Sequence, residues 1–258
     1  TGGNNVAVGH ESLYSVTSSD YNVGLGKSTS KYLTTGEKTV AIGYNANALN
    51  QTGSNNVAIG HESMLGASSQ SHSENTAVGY QSLYSITTAN VNVAIGSNAG
   101  RNISGSDAIE NVIIGGYAGT GGSGDLKRTV AIGKNALNST GSNSIIGSVA
   151  IGYNALTAIT NGGGNVAVGY TNSQSLTTGT QNASVGDSAN SNSTGSNNAT
   201  LGYQSNFYNV TGSFNTAIGS QSMFGVNGNS HASNTAVGYR SLYGVTTGGL
   251  NTAVGRNS

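Results

Sequence analysis

Asn56-Val57-Ala58-Ile59-Gly60 is one copy of a five-residue phrase (Asn, then Val or Thr, Ala, Val or Ile, Gly) that returns fifteen times along the 258 residues. Its closing glycines run from Gly9 to Gly255, 246 residues in fourteen steps, a mean of about 17.6 with single steps of 16 to 19. A fixed period of this size marks stacked supersecondary units, none of which can bury an apolar face alone. Inside the phrase apolar residues alternate with period two, β-branched residues dominate and glycine punctuates, which describes a short strand. No apolar pattern of period 3.6 and helical length occurs. The expected fold is therefore all-β: a repetitive parallel β-solenoid, a β-roll of about fifteen coils. Residues 1–258 read as one repetitive segment, a fragment of a longer fibre protein. At about 4.7 Å per coil, fifteen coils would stack to roughly 70 Å.

The phrase resolves into columns. The residue before each glycine is always aliphatic and is expected to form a core ladder, with Val8, Ile42, Ile59, Val78, Ile95, Ile132, Ile151, Val168, Ile218, Val237 and Val254 among its members. On that reading Ile132→Asp should damage several neighbouring coils, because an unpaired buried charge costs several kcal/mol. Two before the glycine stands Ala in eleven of fifteen copies, which suggests that something passes close on that face, either a neighbouring chain or the narrow interior of a single-chain solenoid. The site between Asn and Ala is Val in some copies (Val6, Val23, Val40, Val57) and Thr in others (Thr76, Thr216, Thr235, Thr252), and is expected to pack inward.

Four before the glycine comes Asn in twelve copies, including Asn5, Asn56, Asn75, Asn92, Asn165, Asn215, Asn234 and Asn251. Such a column can hydrogen-bond along itself and satisfy turn backbone. Three after the glycine sits Ser or Ala in thirteen copies, often followed by Leu or Met, as at Leu13, Met64, Leu83, Leu137, Leu156, Met223 and Leu242. This suggests a second short strand in each coil. Polar turns such as Thr34-Thr35-Gly36, Gln51-Thr52-Gly53-Ser54 and Thr246-Thr247-Gly248 join the strands.

Composition narrows the function classes. Nine Lys+Arg balance nine Asp+Glu and charged residues are only 7% of the chain, so electrostatic binding to nucleic acid or anionic membrane is disfavoured. Without Cys there is no disulfide framework, thiolate metal site or Cys nucleophile. Collagen is excluded because Gly is 41 of 258 and Pro is absent. No apolar run approaches the roughly 18 residues of a membrane span. A longer repeat is also present: Gly53 to Thr88 matches Gly212 to Thr247 at an offset of 159, with 22 of 36 positions identical, including Ser71-His72 against Ser230-His231. Blocks of coils have been duplicated.

The phrase, with Ser63 three residues after Gly60, resembles the head repeats of trimeric autotransporter adhesins of the YadA type. The longer Asn75-Thr76-Ala77-Val78-Gly79-Tyr80-Gln81-Ser82-Leu83-Tyr84 looks like repeats of bacteriophage tail fibres and large bacterial surface proteins. The resemblance covers nearly the whole chain. It implies a left-handed parallel β-roll in which three identical chains pack about a common axis.

An enzyme needs a local constellation that breaks the repeat, and none stands out. His10-Glu11 and His61-Glu62 are 51 residues apart, three coils, which at about 14 Å is too far to share a metal ion. The acids Asp20, Asp107, Glu110, Asp125 and Asp187 are scattered through turns. Gly121-Gly122-Ser123-Gly124-Asp125 is a single near-match to a calcium β-roll repeat, which needs many copies. Asn102-Ile103-Ser104 is one of several chance glycosylation triplets in an Asn-rich chain. Tyr44, Tyr80, Tyr153, Tyr170, Tyr203 and Tyr239 follow the repeat glycine, and Tyr14, Tyr84 and Tyr243 lie further on; their simplest role is to cover the solenoid flank coil upon coil. No catalytic residue, cofactor or metal is expected. The expected function is a structural fibre or adhesin module, an extracellular homotrimeric rod of a phage tail fibre or bacterial surface that displays or joins in attachment to a host receptor or glycan. The alternative is a self-contained solenoid that binds glycan or ice through a flat face.

Overall fold

Val57, Ala58 and Ile59 form a strand, and Gly60 ends it; the same happens at every copy of the phrase. The computed structural model describes residues 2–105, 108–121, 126–139, 141 and 144–258. The coils gather into two compact units, 1–129 and 130–258. The first holds β1 (Val6–Val8), β2 (Val23–Leu25), β3 (Val40–Ile42), β4 (Val57–Ile59), β5 (Thr76–Val78), β6 (Val93–Ile95), β7 (Val112–Ile114) and the two-residue β8 (Leu126–Lys127). The second holds β9 (Val130–Ile132), the short β10 (Ile145–Ile146), β11 (Val149–Ile151), β12 (Val166–Val168), β13 (Ala183–Val185), β14 (Ala199–Leu201), β15 (Thr216–Ile218), β16 (Thr235–Val237) and β17 (Thr252–Val254). No helix occurs among the described residues.

Each unit is a parallel β-solenoid. In the first, β1 to β7 pair in sequence; in the second, β9 pairs with β11 and the ladder continues to β17. The register is unshifted, so like stacks on like: Val40 on Val57, Ala41 on Ala58, Ile42 on Ile59. Val40 N donates to Asn56 O at 2.8 Å and Gly43 N to Leu25 O at 2.9 Å, so each strand end is tied to a neighbouring coil. The repeat glycine is obligatory on two counts. Gly79 has φ +134, and a Cβ there would lie 2.6 Å from the carbonyl oxygen of Gly96 in the next coil.

The faces of the strands are the reverse of the sequence expectation. The residue between the two branched positions is the inward one: Ala41, Ala58, Ala77, Ala94, Ala131 and Ala150 are wholly buried inside their own chain, so they are not a seam between chains. The aliphatic column expected to be the core faces out. Val8, Ile95, Ile218 and Val254 are 54, 39, 40 and 70% exposed, and Ile42, Ile59, Val78, Ile132, Ile151, Val168 and Val237 are half-buried. The Val/Thr site shares that outer face, with Val6 exposed and Val40, Val57 and Thr76 half-buried. Period-two alternation puts both branched residues on one side of the pleat. The coil interior beside the strand is narrow and takes Ala in most coils, with Gly24, Ser184 and Thr200 in three others and one large residue, Ile113, whose methyls face Gly100 and Gly119.

The bulky core comes from the opposite wall of the coil. Leu13, Met64, Leu83, Leu137, Leu156 and Met223, four after the glycine, are buried, as are Leu33, Ile86, Ile103, Ile159 and Leu176, seven after it. The second strand expected there does not form. The segment is a run of turns in which alternate residues take left-handed backbone, as at Glu11 and Leu13 (φ 56° and 50°) or Gln81 and Leu83 (50° and 48°). It is still a ladder: Ser28 N donates to His10 O at 2.8 Å, Leu13 N to Thr29 O and Ser15 N to Lys31 O at 3.0 Å each. Coil-to-coil hydrogen bonds offset the roughly 1 kcal/mol or more that each left-handed non-glycine residue costs.

A steric exchange sets the remaining core. Three before the Asn column stands a small residue wherever the aliphatic residue seven after the glycine is present: Gly36 against Leu33, Ala89 against Ile86, Ala108 against Ile103, Gly179 against Leu176. A Cβ on Gly36 or Gly179 would meet the Leu methyl at 2.6 Å. Where a longer coil turns position 226 outward, or has Ala67 there, the small residue is replaced by a large buried one, His231 or His72. Leu126 and Ile145 are the buried residues of that column in the two other places where it is large.

Candidate interaction surface

The Asn column lies at the inner edge of each strand, and its side chains are internal. Asn22 donates to Asn5 Oδ1 from both its backbone N (2.9 Å) and its Nδ2 (3.2 Å). Asn75 does so to Asn56, Asn92 to Asn75, Asn111 to Asn92, Asn182 to Asn165, Asn215 to Asn198, Asn234 to Asn215 and Asn251 to Asn234. Nδ2 also reaches the turn ahead, as from Asn75 to Ala89 O (3.0 Å) or from Asn215 to His231 O (2.9 Å). Thr39 and Thr129 keep the backbone half of the pattern by donating their N–H to Asn22 and Asn111. These amides are spent on structure and offer nothing to a ligand.

What does face solvent is apolar and aromatic. Val6, Val8, Leu25, Ile95, Val166, Val185, Leu201, Ile218 and Val254 stand exposed on the outer strand face of eight of the fifteen laddered strands, and the other seven keep theirs half-buried. Beside them the residues after the glycines stack. Tyr44, His61 and Tyr80 pile with centroids 5.1 and 5.4 Å apart, and Tyr153 lies 5.2 Å from Tyr170. A second pile, Phe207, Phe224 and Tyr243, has spacings of 5.4 and 5.1 Å and nearly parallel rings. Arg240 lies over both Tyr239 and Tyr243, and Arg101 over Tyr84. Rings piled in this way cover one another's faces and turn their edges to water, the arrangement of packing rather than of a sugar platform.

Polar groups on the flank pair locally. Lys31 Nζ lies 2.8 Å from Glu11, and that hydrogen bond is the main reason the Glu11 carboxyl is held below its usual value and the Lys31 amine above its own. His10 and His61 are exposed, each beside the next glutamate at 3.8 and 3.7 Å. Among the described residues no three His, Asp or Glu side chains converge where a metal ion could sit. Asp107 and residues 122–125 of the calcium-like stretch lie outside the described residues. Asn102 donates to Gly121 O at 2.9 Å. A depression of about 210 Å³ lined by Tyr32, Leu49, Gln51, Ser68 and Ser69 holds no acid, base or paired nucleophile. No described helix is long and apolar enough to cross a membrane. Two groups that sequence reasoning left without a role, His72 and His231, are buried to 1% exposure. Comparison with family models, curated proteins and solved structures finds no match to this chain.

Proposed function

We propose that the chain is a non-enzymatic fibre module, an extracellular β-solenoid rod that assembles as a homotrimer and belongs to a phage tail fibre or a bacterial surface adhesin. The observation that carries this reading is the outward aliphatic column. Monomeric proteins seldom leave a row of branched apolar side chains exposed along one face, as β1, β2, β6, β12 to β15 and β17 do here, and a second and third copy would cover them. The seam then runs along the Val and Ile columns. A rod of this kind holds attachment sites for a host receptor or glycan away from a surface, and threefold copies turn weak contacts into avidity. Light scattering tests it: a β-rich particle of three times 25.6 kDa is expected, and a monodisperse monomer would overturn the trimer.

One observation favours a second reading over part of the chain. Thr216, Thr235 and Thr252 stack in register on three successive strands, on the outer face, each two residues from an aliphatic partner. Regular outward Thr rows of that kind suit an ice plane. Thermal hysteresis and faceted ice growth in a dilute solution of the chain would favour it, and their absence would leave the fibre reading.

A further inference from the structure

His72 and His231 occupy the same place in the two copies of the 36-residue stretch repeated at an offset of 159, and their surroundings are duplicated with them. Asn50 Oδ1 accepts the N–H groups of Gly53 (3.0 Å) and His72 (3.4 Å), and Asn209 Oδ1 those of Gly212 and His231 (3.1 Å each). The rings fill core space, facing Gly66 and Gly225, where a Cβ would lie 3.3 and 3.5 Å from the respective Nε2 atoms. In neither copy does Nδ1 or Nε2 have a hydrogen-bond partner. Asn50 and Gly53 lie against the backbone of His72, and Asn209 and Gly212 against that of His231, while Gly66 and Gly225 face the rings. None of these presents an ionisable side chain. Burial alone pushes both imidazoles down from 6.5 to about 4. The same column is occupied elsewhere by Leu126 and Ile145, so filling the space does not require a group that titrates.

We propose that His72 and His231 are two acid-sensitive joints: a proton on either ring meets no acceptor and no counter-charge, and loosens the coil that holds it, residues 60–79 or 219–238, while neighbouring coils stay closed. The sign follows from the neutral ring being the form the closed coil holds. The opened coil binds the proton more tightly, so the closed state is fully favoured above about pH 6.5 and is progressively lost as pH falls from there through about 4.

Amide hydrogen exchange on the intact chain at pH 7.5 and pH 5.0, corrected for intrinsic rates, tests this. A drop from 6.5 to about 4 corresponds to an approximately thirtyfold loss of protection at pH 5.0 in residues 60–79 and 219–238, against about twofold or less in 79–96 and 152–169. In the double variant His72→Leu, His231→Leu the loss should vanish. A uniform response along the chain, or a local response that survives in that variant, would overturn the proposal. Should the variant fail to fold, the imidazole proton resonances of the native chain decide. Midpoints near 4 are expected, and midpoints near 6.5 refute it.

Discussion

Gly79, which closes a copy of the repeat phrase, and Gly244, which does not, differ sharply in the fold. Gly79 has left-handed backbone and no room for a Cβ, whereas nothing lies within 4 Å of a Cβ on Gly244. Gly79→Ala is therefore expected to lower stability by about 2–4 kcal/mol, and Gly244→Ala by less than about 0.5 kcal/mol, in urea denaturation. Asn92 is the other kind of fixed residue. It accepts two bonds from Asn111 (3.2 and 2.8 Å) and donates to Asn75 Oδ1 (3.1 Å) and Ala108 O (2.8 Å). Asn92→Ala leaves several buried groups unpaired and should cost about 2–4 kcal/mol, with Asn92→Ser recovering little, because the shorter hydroxyl cannot span both neighbours. The existence of these columns was legible in the sequence, since identity recurred at fixed offsets. Which strand face turned inward was not. Alternation says that Val57 and Ile59 share a side and Ala58 takes the other, but only the width of the coil decides which side is the core.

At the scale of one coil, the wall opposite the strand is the part the sequence concealed. Leu13, Leu83 and Met64 follow a small residue in a way that mimics a strand, yet each takes left-handed backbone. Leu and Met carry no compositional sign of positive φ as Gly or Asn do, so this geometry is visible only once the coils are stacked. The exchange between core columns gives a direct test on that wall. Ile86→Ala should cost about 2–5 kcal/mol and Ala89→Leu about 1–3 kcal/mol, both sites being fully buried. The double variant should cost less than their sum by more than about 1 kcal/mol, because the new Leu enters the space the Ile vacates. Additive effects in a denaturation series would show that the two columns do not share one volume.

For the whole molecule, the outward aliphatic column changes what a charge does. Ile132→Asp, which the inward reading expected to unsettle several coils, places a carboxylate on the outer face. On the proposed trimer, the expected outcome is unchanged far-UV circular dichroism with a particle mass falling from three times 25.6 kDa to one. Ala131→Asp, one residue away and wholly buried, should instead abolish the cooperative melt of its coils, an unpaired buried charge being worth several kcal/mol. The unshifted stacking of like on like also governs how a solenoid yields when pulled. The bonds that tie a coil to its neighbour, such as Val40 N to Asn56 O at 2.8 Å, run along the direction of stacking. Tension on that line is borne in series by every coil interface, and each rupture releases about 17 residues, roughly 60 Å of slack, before another gives. A chain built in this way yields in steps and dissipates a jolt without parting.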